Sequence, residues 1–393
     1  MDAFTSVSGS ATRRSARLVS WRWATPEAQA VLATRDLASI LKYYRHVHGT
    51  SQLETGELLG YDKTYISALE LGKRHLSDVG SLRHVAERLA LPAHVLGVTD
   101  PADTDHRAMI QFGTSTVRLA EVARQCGRAA EAVAELWPLV ARLEARARDG
   151  STERDVLRLL AHARLSLGTA LGNVLPEERL ATAAHWTAKS LEVVRAFDDR
   201  ALTTTALRMH GNELRKAGLL GAAVDRLNQA AATAPGTEQR AAVLPLLARA
   251  AGALGNAVLF DHAVREAHQL LDTVEHTSLV NPSALYEIRL RGLISTGRTR
   301  DAIRHAEAAP PAPTIAVAPQ WRVIELITTG RVRLLAGDSH GANQLLTAAA
   351  REAQAQRLPH QLQRVQRTTV GRLPDIHDAA TRALVQLRTE IAA

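Results

Sequence analysis

The chain is expected to be all-α, with a five-helix helix-turn-helix domain near its N-terminus followed by a solenoid of stacked helix hairpins. Three observations predict this. Alanine, leucine and arginine dominate the 393 residues, aromatics make up 4% and β-branched runs are few, which favours helix throughout. Residues Ser51 to Arg74 carry two short apolar-faced segments on either side of Gly60, the pattern of two helices crossed over a tight turn. Beyond residue 106, alanines recur at 184, 223, 263, 302 and 342, in steps of 39, 40, 39 and 40.

Residues 1–30 are rich in Ser, Thr and Arg, with Trp21-Arg22-Trp23 near their end, and are expected to form a flexible basic tail. Such a tail adds phosphate contacts or reaches a minor groove. Alternatively, the tryptophans staple it onto the next helix. Residues 31–98 are read as the compact domain. A first helix over 31–48 presents Leu37, Ile40, Leu41 and Tyr44 on one face, and Gly49 ends it. Ser51 caps a second helix, Gln52 to Leu59, and Gly60 breaks it because glycine reaches the left-handed region without steric cost. Asp62 caps the next helix, whose inward face is Tyr65, Ile66 and Leu69, and Gly72 stops it. Gly56 falls where these two helices press together, with Ile66 as the apolar plug. Ser81 to Leu91 makes a further helix, and Pro92 opens a last turn at Ala93 to Leu96. The polar, proline-containing run at 99–105 reads as a linker.

From 106 to 393 the text is long Ala/Leu-rich helices. Gly127 and Ala132, Gly218 and Ala223, Gly297 and Ala302, and Gly337 and Ala342 share the form Gly-x4-Ala. The glycine closes a hairpin turn, and the alanine lets the two helices approach. Twelve residues back lies a second small contact, at Gly172, Gly211, Ala251 and Gly330, with Leu290 as the misfit. Pro235-Gly236, Asn281-Pro282 and Pro310-Pro311-Ala312-Pro313 separate units, and a helix near Asp375 to Ile391 reads as a cap. Repeats of this kind bury their faces only by stacking, so a curved solenoid is expected.

Composition also narrows the functional classes. Cys126 is the single cysteine, which rules out an intramolecular disulfide and fits a reducing cytoplasm. No stretch approaches the eighteen or so apolar residues of a membrane helix, and Arg13, Arg14 and Arg17 are followed by no apolar run, so neither a membrane span nor a secretory signal is expected. The net charge of +8 suits a nucleic-acid partner, but the first hundred residues hold 12 Lys/Arg against 10 Asp/Glu, so charge is weak support. The chain has no P-loop, Gly-rich dinucleotide turn, HExxH or CxxC pattern, and His46-x-His48 lacks further ligands nearby. No metal, cofactor or enzymatic activity is expected.

Arg45, Gly49, Ser51-Gln52, Gly56, Gly60, Ile66-Ser67 and Glu70-x-Gly72-Lys73 together resemble the Cro/repressor (XRE) family of DNA-binding domains. The resemblance implies a lambda-repressor-like domain in which Arg45 and Glu70 pair. It further implies that Lys63, Thr64, Ser67 and Ala68 face the bases, Lys63 donating to guanine O6/N7. Gln52 would hold a phosphate, and Tyr61, Tyr65, Lys73 and Arg74 are candidate phosphate contacts. The small-residue pattern resembles the tetratricopeptide repeat with a period of about 40 instead of about 34, and a HEAT-like repeat stays open. An XRE domain followed by such repeats is similar to the RRNPP-type peptide receptors and to the actinobacterial XRE–TPR regulators. This implies a bacterial, cytoplasmic transcriptional regulator, a homodimer on a palindromic double-stranded operator, with a peptide or small-molecule signal in the concave face of the repeats. Residues just after the small positions would line that face: Asn173, Asn212, Arg291 and Arg331, with Arg208, Arg215 and Asn256 on nearby turns. Asparagine amides suit a peptide backbone and arginines a carboxylate. The competing reading is a protein-interaction scaffold with secondary DNA binding.

Overall fold

The computed structural model describes residues 23, 25–91, 93–98, 106–148, 154–195, 197–308, 310–312, 314 and 318–392. Among them the regular structure is entirely helical. The chain forms two compact units, one of Met1–Val122, Ala130–Ser166 and Thr389–Ala393, the other of Ala123–Ala129 and Leu167–Arg388. The expected linker at 99–105 lies outside the described residues, as do residues 1–22 and 24 of the expected tail.

In the first unit, α1 (Pro26–Ala33) and α2 (Leu37–His48) replace the single helix expected over 31–48. Thr25 caps α1 on the Ala28 amide at 3.2 Å, with Pro26 in the first turn where its missing N–H costs nothing. Arg35 at φ 55° breaks the helix, and Asp36 restarts it by accepting from the amides of Ala38 and Ser39. The tail therefore does not extend to residue 30. Trp23 is itself a core residue, 1% exposed, its indole Nε1 donating to the Leu89 carbonyl at 2.7 Å and its ring lying against Tyr43 and Tyr44. This matches the stapling alternative for that tryptophan.

Helices α3 (Gln52–Leu59) and α4 (Lys63–Glu70) follow. Then comes α5 (Val79–Arg88), which begins two residues earlier than expected because Asp78 caps it on the Ser81 amide at 2.7 Å. It ends at Leu89, and a 3-10 turn occupies Ala93–Leu96. Helices α6 (His106–Gln125), α7 (Ala129–Arg148) and the start of α8 (Arg154–Val174) supply the rest of this unit. They cross at Gly113, where a Cβ would lie 2.6 Å from Leu159 Cδ2 and 3.2 Å from Leu139 Cδ1.

The second unit is an array of hairpins. It comprises the end of α8 and α9 (Leu180–Val194), then α10 (Arg200–Lys216) with α11 (Leu220–Thr233), and α12 (Thr237–Leu254) with α13 (Ala257–Leu270). Next come α14 (Pro282–Ser295) with α15 (Thr299–Glu307), α16 (Pro319–Leu335) with α17 (Ser339–Ala355), and α18 (Pro359–Thr369) with α19 (Pro374–Ala392). Gly218, Gly297 and Gly337 take φ between 78° and 86° at the hairpin turns, and Ala223, Ala302 and Ala342 five residues on are fully buried. The third copy keeps its counted alanine, Ala263, but its turn glycine, Gly255, comes eight residues before it instead of five. Five residues after Gly255 stands Phe260, fully buried, and Ala263 comes one turn later on the same face. The room for that ring comes from Gly252 and Gly292: a Cβ on Gly292 would collide with the Phe260 ring, and one on Gly252 would sit 3.4 Å from Phe260 Cδ2. The small contact missing at Leu290 is thus supplied two residues later.

The ends of this array meet. The backbone N–H of Glu177 donates to Gln363 Oε1 at 2.8 Å, and the Gln363 amide returns a bond to Glu178 at 3.0 Å. Arg367 pairs with Glu177 and Arg388 with Glu178.

Candidate nucleic-acid interface and a cationic groove

The α3–α4 crossing is built from local signals that agree. Ser51 accepts from the Glu54 amide while Glu54 accepts from the Ser51 amide, a reciprocal capping box that starts α3. Gly60 at φ 73° ends α3, and Asp62 caps α4 on the Tyr65 amide at 2.7 Å, so only residues 60–62 separate the two helices. Any side chain at position 56 would run into the Tyr61 carbonyl oxygen, and Ile66 Cγ1 already stands 3.4 Å from where a Cβ would be. Gly56 is what permits the close approach. Leu59, Ile66 and Leu69 fill the joint.

Behind α4, the Glu70 carboxylate is buried at 4% exposure and accepts three hydrogen bonds from two donors: Arg45 Nη1 at 3.1 and 3.3 Å, and the Gln52 amide at 2.7 Å. The half-buried Gln52 side chain, expected to hold a phosphate, here turns one amide N–H inward and secures Glu70 with it. The sequence shows a polar residue at a helix start; which way it turns depends on α4 being close by.

The opposite side of α4 is open. Lys63 and Thr64 in its first turn are exposed, and Ser67 and Ala68 are half-buried one turn on. The Tyr61 and Tyr65 rings stack at 4.8 Å, and the Arg74 guanidinium lies 5.1 Å from the Tyr65 centroid. Lys73 and Arg74 are exposed after the helix, where their backbone amides bond the Ala68 carbonyl. Two hydroxyl-tipped rings and three cations thus flank a short exposed helix N-terminus, an arrangement able to meet phosphates and base edges.

In the second unit the sequence-derived groove residues divide. Asn256 does not line a groove: its Oδ1 accepts from the Leu259 amide at 3.0 Å and caps α13, the role expected of Asn directly after a turn glycine. Asn173 and Asn212 are buried. Asn173 Oδ1 accepts from Lys216 Nζ at 3.3 Å, with its Nδ2 unpartnered, while Asn212 donates to Glu213 and accepts from Arg215, both at 3.0 Å. Gly172 is required here, because any side chain would strike the Glu213 carboxylate. Arg208 is half-buried on α10. Arg291 and Arg331 come together on one cavity wall with Arg364 and Arg367, which the sequence reading missed. The signal for these last two lies in the closing hairpin, Gln363-Arg364-Val365-Gln366-Arg367, where no repeat register was assigned.

The charged groups of this groove are crowded. Glu287, buried on α14, accepts from Arg291 Nε at 3.0 Å and from Thr328 Oγ1 at 2.8 Å. Burial pushes the Arg215 guanidinium down to about 10, with Arg291 adding to the effect, and pushes Arg364 down to about 9 for the same two reasons. Both remain cationic near neutral pH. Among the described residues no group of three or more His, Cys, Asp or Glu is placed to hold a metal ion, and no helix is long and apolar enough to cross a membrane.

No protein-family model matches the chain, and no curated protein does. Among solved structures, the chain aligns with Bacillus thuringiensis PlcR in complex with the peptide PapR7 and DNA, at 16% identity and a TM-score of 0.36, over 70% of this chain and 93% of that one. It also aligns with a circular tandem repeat protein of novel repeat topology, at 14% identity and a TM-score of 0.22, over 98% of this chain and 89% of that one.

Proposed function

We propose that the chain is a sequence-specific DNA-binding transcriptional regulator of the bacterial cytoplasm, without catalytic activity of its own. It acts as a homodimer on a palindromic operator, its DNA binding adjusted by a peptide or small-molecule signal held in the helical repeats. The observation that supports this best is the build of α4. The helix is fixed from behind by Ile66, Leu69 and the bonded Glu70 carboxylate, and leaves Lys63 and Thr64 exposed at its N-terminus. In helix-turn-helix proteins those positions enter the major groove. One eight-residue helix reaches too few base pairs for selective binding, so a second half-site and a second copy are needed. Phe112, Leu119 and Val122, exposed along one side of α6, support self-association.

The test is selection of bound genomic fragments with the full chain and with a Lys63→Ala/Thr64→Ala variant. The wild type is expected to enrich a short palindrome, and the double variant to lose that enrichment while its melting temperature stays within about 2 °C, as exposed substitutions do. Unchanged enrichment by the variant would remove α4 as the reading helix. Monomeric protein with only salt-sensitive, sequence-blind affinity would favour the scaffold reading instead.

A further inference from the structure

The second unit gathers more cationic charge than it neutralises. Arg291 on α14, Arg331 on α16, Arg364 and Arg367 on α18, and Arg372 just beyond line a single cavity of about 510 Å³. Glu287 engages Arg291, and Glu177 engages Arg367. Arg364 donates to the neutral amide oxygen of Gln361 at 2.7 Å. Among the described residues, the guanidinium groups of Arg331 and Arg372 make no hydrogen bond or ion pair. Arg215 and Arg249 stand near enough to Arg291 to repel it, and the Nε of each is buried with no partner. The rest of the cavity wall is apolar, chiefly Ile327, Leu334, Leu335 and Val370, with the Thr328 and Thr368 hydroxyls beside the arginines.

Like charges held this close in a partly desolvated groove repel, and the fold supplies two carboxylates against five lining arginines. We propose that the cavity binds a compact polyanion, a phosphorylated small molecule of nucleotide size. Its phosphates are clamped by Arg291, Arg331 and Arg364, and its apolar part rests on Ile327, Leu334 and Leu335. A single carboxylate satisfies one guanidinium fork, whereas each phosphate offers three acceptor oxygens and up to two charges. Several forks converging on one cavity therefore fit phosphates better than one carboxylate. The volume lies in the range of small-molecule sites. This inference rests on the ligand-sensing part of the proposed function and names the class of the signal.

The experiment is titration calorimetry on the full chain with ATP, inorganic pyrophosphate and succinate, repeated with Arg331→Gln and with Arg333→Gln. Arg331 is exposed and unpaired, so the first variant should melt as the wild type does. Arg333 pairs with Asp338 and is absent from the cavity wall. ATP and pyrophosphate are expected to bind one per chain, with affinity falling at least tenfold in Arg331→Gln and unchanged in Arg333→Gln, and succinate to bind at least tenfold more weakly than pyrophosphate. Equal losses in both variants would reduce the effect to surface charge and overturn the site. Succinate matching pyrophosphate would overturn the phosphate assignment, and so would absence of binding by either phosphate probe. Fragment selection on the same samples separates the two readings: a chain that binds pyrophosphate but enriches no DNA fails the regulator reading and leaves this site standing.

Discussion

Glu70 shows how much one side chain can be asked to hold. It fixes Arg45 of α2 and Gln52 of α3 from a single position on α4. Glu70→Ala leaves a partly buried guanidinium and an amide without their acceptor, and should cost about 3 kcal/mol in urea unfolding. A double-mutant cycle with Arg45→Met should show the second change to be much cheaper in the absence of the first. His210 carries a different prediction. It is 7% exposed, and burial, assisted by Arg226, lowers its pKa to about 4 from an ordinary 6.5; its Nδ1 sits 3.0 Å from the Thr187 hydroxyl. The unfolded chain then takes up a proton between those values while the folded chain does not. The stabilisation is therefore present above pH 6.5 and lost as pH falls through 4, by at most about 3 kcal/mol. In His210→Gln the slope of stability against pH over that window should flatten measurably in chemical unfolding; an unaltered slope would mean that His210 ionises normally in the fold. At this scale the sequence was only partly informative. The Arg45–Glu70 pairing came with the motif, but the third partner, Gln52, did not, because its inward turn depends on a neighbouring helix.

At the scale of elements, turn chemistry was readable and packing register was not. Gly49, Gly60, Gly218, Gly297 and Gly337 end helices with positive φ where the text places them. Counting small residues located the buried Ala263 on α13 but gave no hint of Phe260 on the same face, for which Gly252 and Gly292 make space. What fills a buried face depends on what the facing helix offers, and a period of small residues says nothing of a ring seated between them. The α3–α4 crossing is the more demanding contact, since position 56 faces backbone instead of a movable side chain. Gly56→Ala should push Tyr61 and the start of α4 outward, destabilise by about 1–3 kcal/mol and weaken the proposed DNA binding more than that loss alone explains. Binding that merely tracks the folded fraction, measured by anisotropy alongside melting, would mean that the crossing tolerates the shift.

At the scale of the whole molecule, the all-α character and the change from short to long helices were plain in composition and spacing. The meeting of the ends of the second unit was not, because Glu177 and Glu178 lie 185 to 210 residues from their partners and no local signal joins them. An open array of repeats frays from its termini and loses stability roughly one neighbour at a time. Glu177 and Glu178 remove that freedom: with Gln363, Arg367 and Arg388 engaged, the array has no loose end from which to start. Amide hydrogen exchange should find α9, α18 and α19 as slow as the central helices, and Glu177→Lys with Glu178→Lys should speed exchange in those three first. The same latch bears on mechanics. Whatever enters between the hairpins must either fit the space as it stands or part the seam, so the second unit works as a clasp, and the ionic strength of its surroundings sets how firmly it is shut.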